Sequence, residues 1–281
     1  MLNYLKRARA SVADQQGVEV EHIVADGGSS DGTPEWLASV ARPIGAGKPA
    51  PVAGSSFCFF SGKDAGMYDA LNKGFATASG DVVAWLNCDE QYLDGALAKV
   101  LEIFRTKPEL DILFGAALLV RPDNSLLALR KPYPARYVYV ATSHLYNLSC
   151  ATFFRGKLWK EGLRFDTRFR NLGDHDLILR ALKGGARTTT LREPLSAFTF
   201  TGGNLSWTEG AKREATQLHQ EAPAWAKALH MPLTALRLTE KFLHGAYSAG
   251  AVDYALHVGE GNGVRCSFHV DKASTKWPDE K

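Results

Sequence analysis

The sequence predicts an α/β fold in which a mostly parallel sheet is flanked by helices and followed by a C-terminal helical segment. Short apolar runs typical of buried strands occur at residues 21–25 and in VVAWL (82–86), and segments with helical periodicity lie between and after them. Beyond residue 210 only helical patterns follow. We therefore expect a main domain over residues 1–210, a helical extension over residues 211–265 and a tail over residues 266–281.

The first elements carry local start and stop signals. A helix is predicted over Leu2–Gln15, a strand over Glu21–Ala25 and a second helix over Thr33–Val40. The Pro/Gly/Ser-rich segment Arg42–Ser56 predicts a loop, and SFCFF (56–60) predicts a short strand after it.

The middle of the chain continues the alternation of helices and strands. The helical pattern MYDALNKGFATA stops at Gly80, and the VVAWL strand follows. A helix is predicted over Tyr92–Arg105, strands over Asp111–Val120 and Ser125–Arg130, and a loop over residues 130–138.

Composition excludes several classes of protein. The 281 residues are enough to bury a large core, so neither metal nor disulfide is needed to hold the fold together. Lys and Arg total 33 against 30 for Asp and Glu, and a net charge of +3 is far from the basic balance of a nucleic-acid binder. We therefore expect no nucleic-acid partner.

Cysteine usage and hydropathy indicate a cytoplasmic protein. The four cysteines are scattered without C-x-x-C spacing, which is typical of reduced thiols rather than of a disulfide framework or a zinc site. The longest apolar run, Ile112–Val120, is far shorter than the roughly 20 residues of a membrane-spanning helix. No disulfide and no membrane span are predicted.

Two adjacent carboxylates, Asp89 and Glu90, follow the VVAWL strand. We place them just past the carboxyl end of that strand, at the edge where open α/β sheets bind ligands. Adjacent carboxylates repel unless a cation or ligand offsets their charge, and hard cations prefer oxygen ligands. The pair therefore predicts Mg²⁺ or Mn²⁺ as cofactor, with Asp89 as the first ligand. Capping of the next helix is a second role that either carboxylate can fill.

Four ordered blocks of polar residues stand out. They are Asp26 with Gly27, Gly28 and Ser29, then DAGMYDALNKG (64–74), then LNCDE (86–90), and finally GDHDLILR (173–180). In this order and spacing the blocks resemble those of the family 2 glycosyltransferases of the GT-A fold. The resemblance covers about residues 1–210 and implies a donor half over about residues 1–92 and an acceptor half over about residues 93–210.

The resemblance implies that the donor-binding side chains lie in and beside the first three blocks. Asp26 would accept a hydrogen bond from a nucleobase while Gly28 lets the backbone approach, although an ordinary turn also explains this pair. Lys63 would face the diphosphate, and Asp64 would contact ribose or donor-sugar hydroxyls. The predicted donor set is completed by Asn72, Asn87 and Asp89.

Asp174 matches the acidic residue that serves as catalytic base in the family. Inverting transfer needs a carboxylate that takes the proton of the acceptor hydroxyl, a contribution of roughly 10²- to 10⁴-fold. Capping of the following helix is the alternative role for Asp174. Asp176 is expected to pair with Arg180 at i+4 instead.

The acceptor side carries weaker signals. The segment HLYNLSCATFFRG (144–156) is rich in aromatic residues, and His144 and Arg155 within it are predicted to border the acceptor site. Core packing is the favoured role for its Phe153 and Phe154. Gly202 and Gly203 resemble a loop that closes over donor phosphates in the family.

The N-terminus departs from the family pattern. Relatives open with a hydrophobic strand before the helix that here occupies Leu2–Gln15, and loss of that strand would leave unpaired backbone groups on both neighbours. Two explanations stay open. Either the true start lies upstream of Met1, or the protein is a truncated, non-catalytic sugar-nucleotide-binding or partner module.

The function expected from these residues is inverting, metal-dependent sugar transfer. The resemblance implies a nucleotide-diphosphate sugar donor and a saccharide or lipid-linked acceptor, in cell-surface polysaccharide or glycolipid synthesis. It also implies a cytoplasmic location with peripheral association at the inner face of the plasma membrane. A nucleotidyltransferase is disfavoured because no glycine-rich phosphate loop with a basic residue lies near the N-terminus.

Overall fold

The computed structural model describes residues 1–44, 55–201, 208–261 and 263–278. The N-terminal elements are α1 (Leu2–Ala13), β1 (Glu21–Asp26), α2 (Thr33–Val40), β2 (Arg42–Pro43) and β3 (Ser56–Ser61). The three strands form a parallel sheet in the order β1-β3-β2. The predicted helices and strands of this region are confirmed, except that Arg42 and Pro43 form a strand instead of starting a loop. Ten residues of that loop, 45–54, lie outside the described residues.

A second sheet forms the centre of the molecule. Its elements are α3 (Met67–Thr77), β4 (Val82–Val83), β5 (Glu90–Tyr92), α4 (Ala96–Thr106), β6 (Ile112–Val120), β7 (Leu126–Arg130), α5 (Tyr137–Thr142), a 3-10 turn (Ser149–Ala151), β8 (Thr152–Arg155), α6 (Lys157–Lys160), α7 (Gly173–Lys183) and β9 (Thr188–Thr199). The six strands run in the order β4-β8-β6-β9-β5, and β7 pairs with β6.

The two sheets differ in strand direction. In the central sheet only the pairing of β6 with β9 is parallel, whereas β4, β5, β7 and β8 all run antiparallel to their neighbours. Every residue of β6 is buried, so this strand is the axis of the core. The fold is α/β and curled, as expected, with parallel pairing throughout the N-terminal sheet and mixed pairing in the central one.

An open gap separates β1 from β4. Among the described residues no strand pairing joins the two sheets, and both strands line one cavity of about 2120 Å³. Helices α1 and α3 also line this cavity, through apolar residues such as Leu5, Val12, Leu71 and Phe75. The outer edges of β1 and β4 are therefore unpaired, as the sequence comparison with the family pattern predicted.

This gap explains a wrong strand prediction. The apolar run VVAWL was predicted to be a continuous strand, but only Val82–Val83 is paired, and only along the edge that faces β8. Residues 84–87 carry no strand structure. Asp89 and Glu90 therefore follow an irregular segment, and Glu90 is the first residue of β5; neither lies at the end of a long strand.

The C-terminal region contains more than helices. It comprises α8 (Glu209–Gln220), α9 (Ala224–Ala228), α10 (His230–Leu243), β10 (Val252–Leu256) and β11 (Cys266–Val270). The last two strands form an antiparallel hairpin, and Tyr254 and Leu256 pack with Leu129 of the central sheet. The hairpin lies across the predicted boundary between helical extension and tail.

The residues after the hairpin also contact the body of the protein. The Ser274 carbonyl oxygen accepts a hydrogen bond of 2.8 Å from the backbone of Leu129, and Ala273 is buried. The ring of Trp277 packs against Phe200, and Arg130 lies over that ring. The prediction of a tail is thus wrong for residues 266–277.

The predictions about cysteines and membrane spans agree with the structure. The four cysteines all lie among the described residues, and none is in a disulfide. In the described ranges no helix combines the length and the apolar character needed to cross a bilayer.

Candidate active site

The cavity between the two sheets gathers several of the predicted site residues. Five of them line it, four from connecting segments and one from the start of α7: Asp64, Asn87, Asp89, His144 and Asp174. Arg155 also borders it, but its guanidinium is engaged elsewhere. The convergence of three carboxylates on one concave surface makes this cavity the candidate active site.

Asp174 is held at the start of α7. Its Oδ1 accepts a hydrogen bond of 2.9 Å from the backbone N–H of His175, and the Tyr68 hydroxyl lies 3.5 Å away. Burial raises the pKa of Asp174 to about 6, because the surrounding protein disfavours the charged form. A carboxyl group tuned in this direction accepts protons more readily near neutral pH than an exposed aspartate does.

Tyr68 is placed beside Asp174 by a close approach that requires glycine. Its ring lies against the Cα of Gly173, and a Cβ added there would sit 2.6 Å from the nearest ring atom. The Tyr68 hydroxyl donates to the Asn171 carbonyl at 3.1 Å, and the ring stacks on Phe165 with centroids 5.1 Å apart. The motif block at 64–74 is thereby joined to the block at 173–180.

A carboxylate clamp holds the loop that leads into α7. Glu214, on α8, accepts backbone hydrogen bonds from Arg170, Asn171 and Leu172 at 2.7, 3.0 and 2.8 Å. Burial acts to raise the pKa of Glu214, but these hydrogen bonds outweigh it and the pKa is lowered. Sequence reasoning missed this residue, since no pattern connects a surface-type glutamate with a loop 42 residues upstream.

Asp89 and Glu90, although adjacent, have different environments. The Asp89 side chain is half-buried and lines the cavity, and burial raises its pKa. Glu90 is fully buried and accepts hydrogen bonds from the backbone N–H and the Nδ2 of Asn87 at 2.7 and 3.1 Å. Burial, followed by the charge of Asp89, raises the pKa of Glu90 to about 8.

These environments correct the predicted metal ligands. Glu90 closes a turn with Asn87 inside the protein and does not point into the cavity. Asp89 alone remains as a carboxylate ligand, and the described residues include no group of three or more His, Cys, Asp or Glu side chains able to hold a metal. Asp89 is desolvated and has no salt-bridge partner among the described residues. Such a carboxylate fits a cation that would take its remaining ligands from substrate phosphates.

The first predicted donor motif folds as a turn. Asp26 is buried at the end of β1 and accepts backbone hydrogen bonds from Gly28 and Ser29, each at 3.2 Å, and another from the Ser61 hydroxyl. Burial acts to raise the pKa of Asp26, but these bonds outweigh it and the pKa is lowered. Asp26 and Gly28 thus form a turn, in which Gly28 adopts a positive φ of 87°, and contact of Asp26 with a nucleobase stays a prediction.

Asp64 is a donor-block carboxylate that lines the cavity. Its Oδ1 accepts a hydrogen bond of 2.8 Å from Gly66, while its Oδ2 lies against the Cα of Gly27. A side chain at Gly27 would collide with this carboxylate. Lys63, directly before it, is exposed and does not line the cavity.

Two predicted site residues have structural roles instead. The Asn72 side chain exchanges two hydrogen bonds of 2.9 Å with the backbone of Phe165. The Arg155 guanidinium donates to the carbonyl oxygens of Phe104, Lys107 and Leu110 at 2.7–3.0 Å and caps the C-terminus of α4. Donor binding by Asn72 and acceptor contact by Arg155 are therefore corrected.

Of the residues predicted to border the acceptor, His144 lines the cavity with its side chain free to face it. His144 is exposed at the rim, with Nδ1 2.9 Å from the Ser143 hydroxyl and its ring edge-on to Tyr146. Trp277 also lines the cavity, and nothing in the sequence indicated it because the region was predicted to be a tail. Gly202 and Gly203 lie outside the described residues.

Comparison with known families identifies the chain. A family model described as glycosyl transferase family 2 matches residues 2–178, which span α1 to the middle of α7. The chain belongs to this family. The matched range contains the first three motif blocks, the first six residues of the fourth, and every cavity carboxylate described above.

Curated relatives of this family 2 chain are themselves uncharacterized glycosyltransferases. One from Mycobacterium tuberculosis (strain H37Rv) is 29% identical over 206 residues, which is 72% of each chain. Another, from Nostoc sp., is 28% identical over 123 residues, 44% of this chain. That match spans only 35% of the Nostoc protein's own length.

Solved structures show that the family 2 chain has the GT-A fold. Staphylococcus aureus TarS 1-349 in complex with UDP-GlcNAc is 16% identical, with a TM-score of 0.59 over 86% of this chain and 71% of TarS 1-349. The mannosyltransferase PcManGT from Pyrobaculum calidifontis, in complex with GDP-Man and Mn²⁺, is 15% identical with a TM-score of 0.50 over 86% of this chain and 77% of its own.

Proposed function

We propose that this chain is an inverting glycosyltransferase that moves a sugar from a nucleotide-diphosphate sugar to a hydroxyl acceptor, with Asp174 as the catalytic base. One observation carries the proposal: the desolvated carboxyl of Asp174, with a pKa raised to about 6, lines the same cavity as the carboxylates of the donor blocks. Family membership supports the reaction class, and the geometry supports the role of the base.

A single displacement needs few groups. The acceptor hydroxyl attacks the anomeric carbon, its proton passes to Asp174, and the bond from that carbon to the nucleoside diphosphate breaks with inversion. Tyr68 and the His175 N–H hold the Asp174 carboxylate in one orientation. Removal of such a base typically lowers the rate by about 10²- to 10⁴-fold.

The donor side is proposed from chemistry and from the neighbours. The solved neighbours carry UDP, UDP-GlcNAc and GDP-Man in their complexes, which supports a nucleotide-sugar donor. Asp64 is proposed to accept hydrogen bonds from hydroxyl groups of the donor. Its Oδ1 accepts from Gly66, whereas its Oδ2 only lies against the Cα of Gly27. Asn87, which also lines the cavity, is proposed as the partner of Asp64 on the phosphate side.

A divalent cation, Mg²⁺ or Mn²⁺, is proposed to bind through Asp89. It would offset the negative charge that collects on the departing diphosphate, an effect of several kcal/mol in comparable sites. The protein's own contribution is to hold the Asp89 carboxylate at the cavity wall and to keep the buried Glu90 protonated, so that Glu90 adds no second negative charge beside it.

The acceptor is proposed to be a saccharide or a lipid-linked saccharide, used in cell-surface polysaccharide or glycolipid synthesis on the cytoplasmic side of the membrane. His144 lines the cavity and lies outside the donor blocks of the sequence, so we propose the surface around it as the acceptor side.

Slow donor hydrolysis tests the proposal without knowledge of the acceptor. The purified chain is incubated with UDP-, GDP- and dTDP-sugars, with Mn²⁺ or EDTA, and nucleotide release is measured. We expect metal-dependent release with one donor, and a loss of about 10²-fold or more in Asp174→Asn and Asp89→Ala. Asp166→Asn is the matched control, because Asp166 pairs with Arg168 outside the cavity. Full activity of Asp174→Asn would refute its role as base.

The gap between β1 and β4 favours one alternative function, binding without transfer. Unpaired strand edges beside the donor blocks weaken the rigid support that catalysis requires. Calorimetric binding of a nucleotide sugar, combined with no release from the wild-type chain, would establish a sugar-nucleotide-binding module instead.

A further inference from the structure

Helix α10 buries charged residues and exposes apolar ones, which is the reverse of the pattern in an ordinary surface helix. Its inward side combines Leu233, which packs against the core, with charged residues, of which Arg237 is buried and donates to the Tyr133 hydroxyl at 3.0 Å. Glu240 accepts two hydrogen bonds, of 2.6 and 2.7 Å, from the Arg136 guanidinium at the start of α5. These polar contacts attach the helix to the protein.

The outward side of α10 is apolar. Met231, Leu238 and Phe242 recur at helical spacing and are 80%, 41% and 69% exposed. Leu236 and Leu243 form a second, adjacent row, at 57% and 72% exposed. In a soluble surface helix these are the positions that polar side chains normally occupy.

Neighbouring residues enlarge this surface, which we call the apolar face. It consists of Trp225, Leu229, Met231, Leu236, Leu238, Phe242, Leu243 and Tyr247. These are eight of the eleven large hydrophobic side chains that are exposed among the described residues. Exposed apolar side chains concentrated in this way mark an interaction surface rather than the scattered exposure found on any protein.

Charge decides which partner fits. The basic residues Lys227 and Lys241 alternate in sequence with the apolar face: Lys227 donates to the Gln220 carbonyl oxygen at 3.0 Å, and Lys241 lies 4.3 Å from the ring centroid of Tyr247. The acidic residue of α10, Glu240, is turned inward and paired with Arg136. An apolar surface bordered by cations, with Trp and Tyr near its ends, matches the interface of an anionic bilayer.

We propose that α9 and α10 dock the apolar face on an anionic lipid membrane. The helices would lie in the interface plane, with the apolar side chains among the acyl chains and the lysines at the headgroups. This proposal deepens the proposed function and rests on it, because a lipid-linked acceptor would lie in the same membrane. Arg136 joins α10 to α5, and α5 leads directly to His144 at the cavity rim, so the docked face and the acceptor side belong to one connected region.

Vesicle sedimentation tests the docking directly. The full chain is mixed with phosphatidylcholine vesicles or with mixed phosphatidylcholine and phosphatidylglycerol vesicles, and the bound fraction is measured. We expect binding to the anionic vesicles, and a reduction of about tenfold or more when Leu238→Glu and Phe242→Glu are combined, because each charge must be buried at the interface. Lys227→Ala with Lys241→Ala should weaken binding to anionic vesicles only.

The matched control is Val264→Glu, the same chemical change at an exposed valine outside the apolar face. It should bind vesicles like the wild type. Circular dichroism and donor hydrolysis in solution show whether each variant is folded, and a failure of hydrolysis in all of them would concern the proposed function and not the docking.

Two results would overturn the proposal. Absence of wild-type binding to the anionic vesicles is the first. The second is a dimer in light scattering that the Leu238→Glu and Phe242→Glu variant abolishes, without any vesicle binding by the wild type. That outcome would assign the apolar face to a second copy of the chain.

Discussion

At the scale of single residues, the same chemical group has different roles because its surroundings differ. Asp174 and Glu90 are desolvated and retain protons at higher pH than free carboxyls. Asp26 and Glu214 are also partly buried, but hydrogen-bond donors converge on them and keep them ionised. The first pair can exchange protons near neutral pH, whereas the second pair holds backbone in place.

The close contact of Gly173 with Tyr68 gives a first prediction. In Gly173→Ala the new methyl would sit 2.6 Å from the tyrosine ring, so the ring must move away from Asp174. We expect a loss of about 1–3 kcal/mol in the free energy of unfolding from overpacking. We also expect donor hydrolysis with a lower kcat at similar KM, measured by steady-state kinetics.

Gly184, at the other end of the same helix, is the matched control. A Cβ there meets its nearest neighbour at 3.4 Å, an ordinary contact, and its φ is negative. Gly184→Ala should therefore leave both kcat and stability nearly unchanged. Equal effects of the two substitutions would show that the Tyr68 contact has no special role.

At the scale of secondary-structure elements, α8 supports the site through Glu214. In Glu214→Gln only one oxygen remains to accept, so at least one of the three backbone N–H groups of residues 170–172 loses its partner. We expect a destabilisation of about 1–3 kcal/mol by chemical denaturation, and a lower kcat because the start of α7 is less well held.

Glu209, on the same helix, provides the comparison. It forms an exposed ion pair with Lys212, and exposed pairs are worth about 0.2–1 kcal/mol. Glu209→Gln should therefore change stability much less and leave kcat unchanged. If both variants behaved alike, the clamp on the α7 loop would contribute nothing beyond surface charge.

The free edge of β1 gives a prediction for hydrogen exchange. Val20 and Asp26 accept backbone hydrogen bonds from β3 and the residue after it, so the even-numbered residues of β1 face β3. Ile23 and Ala25 then direct their N–H groups into the gap. We expect these two amides to exchange faster than those of His22 and Val24, by about tenfold or more in amide-resolved measurements. Equal protection would mean that the gap is closed in solution.

The sequence predicted those elements best whose signals are local. The bounds of α2 agree to the residue, and those of α1, β1, β3 and β6 agree to within two residues. VVAWL failed as a continuous strand because only Val82–Val83 pairs, along β8, while residues 84–86 have no strand partner among the described residues. The hairpin β10–β11 was missed because its apolar alternation is short and its partner, Leu129, is distant in sequence.

The site residues divide in the same way. The motif blocks were sufficient to predict that Asp64, Asn87, Asp89 and Asp174 line one surface. They did not show that Glu90 turns inward. Asn72 and Arg155 are polar residues in suggestive positions, but their partners lie 93 and 45 to 51 residues away. Such long-range backbone contacts leave no trace in a single sequence.

At the scale of the whole molecule, the buried carboxyls set how stability depends on pH. The folded-state pKa of Glu90, about 8, lies above its ordinary value of 4.5, so the folded protein retains a proton that the unfolded chain releases. The stability from this group is complete below about pH 4.5 and is lost as the pH rises toward 8. Asp174 acts in the same direction at lower pH, between its ordinary value of 3.8 and about 6.

Donor turnover should depend on pH in the opposite direction to stability. The proposed base must be ionised before it accepts a proton, so donor turnover should rise as the pH passes through about 6, the range in which Asp174 loses its proton. The pH at which the protein works best is then not the pH at which it is most stable. This opposition follows from placing a base and a neutral acid in the same desolvated region.

Glu90→Gln separates the two effects. The amide keeps the shape and the neutral charge of the protonated glutamate, and the Asn87 side chain can rotate to satisfy it. We expect the unfolding free energy of the wild type to fall between about pH 5 and about pH 8, by on the order of 1 kcal/mol per pH unit at most, and that of the variant to stay flatter. Urea titrations at several pH values measure both slopes. Parallel slopes would show that Glu90 is ionised in the folded protein, and the cation proposed at Asp89 would then have to offset two adjacent negative charges.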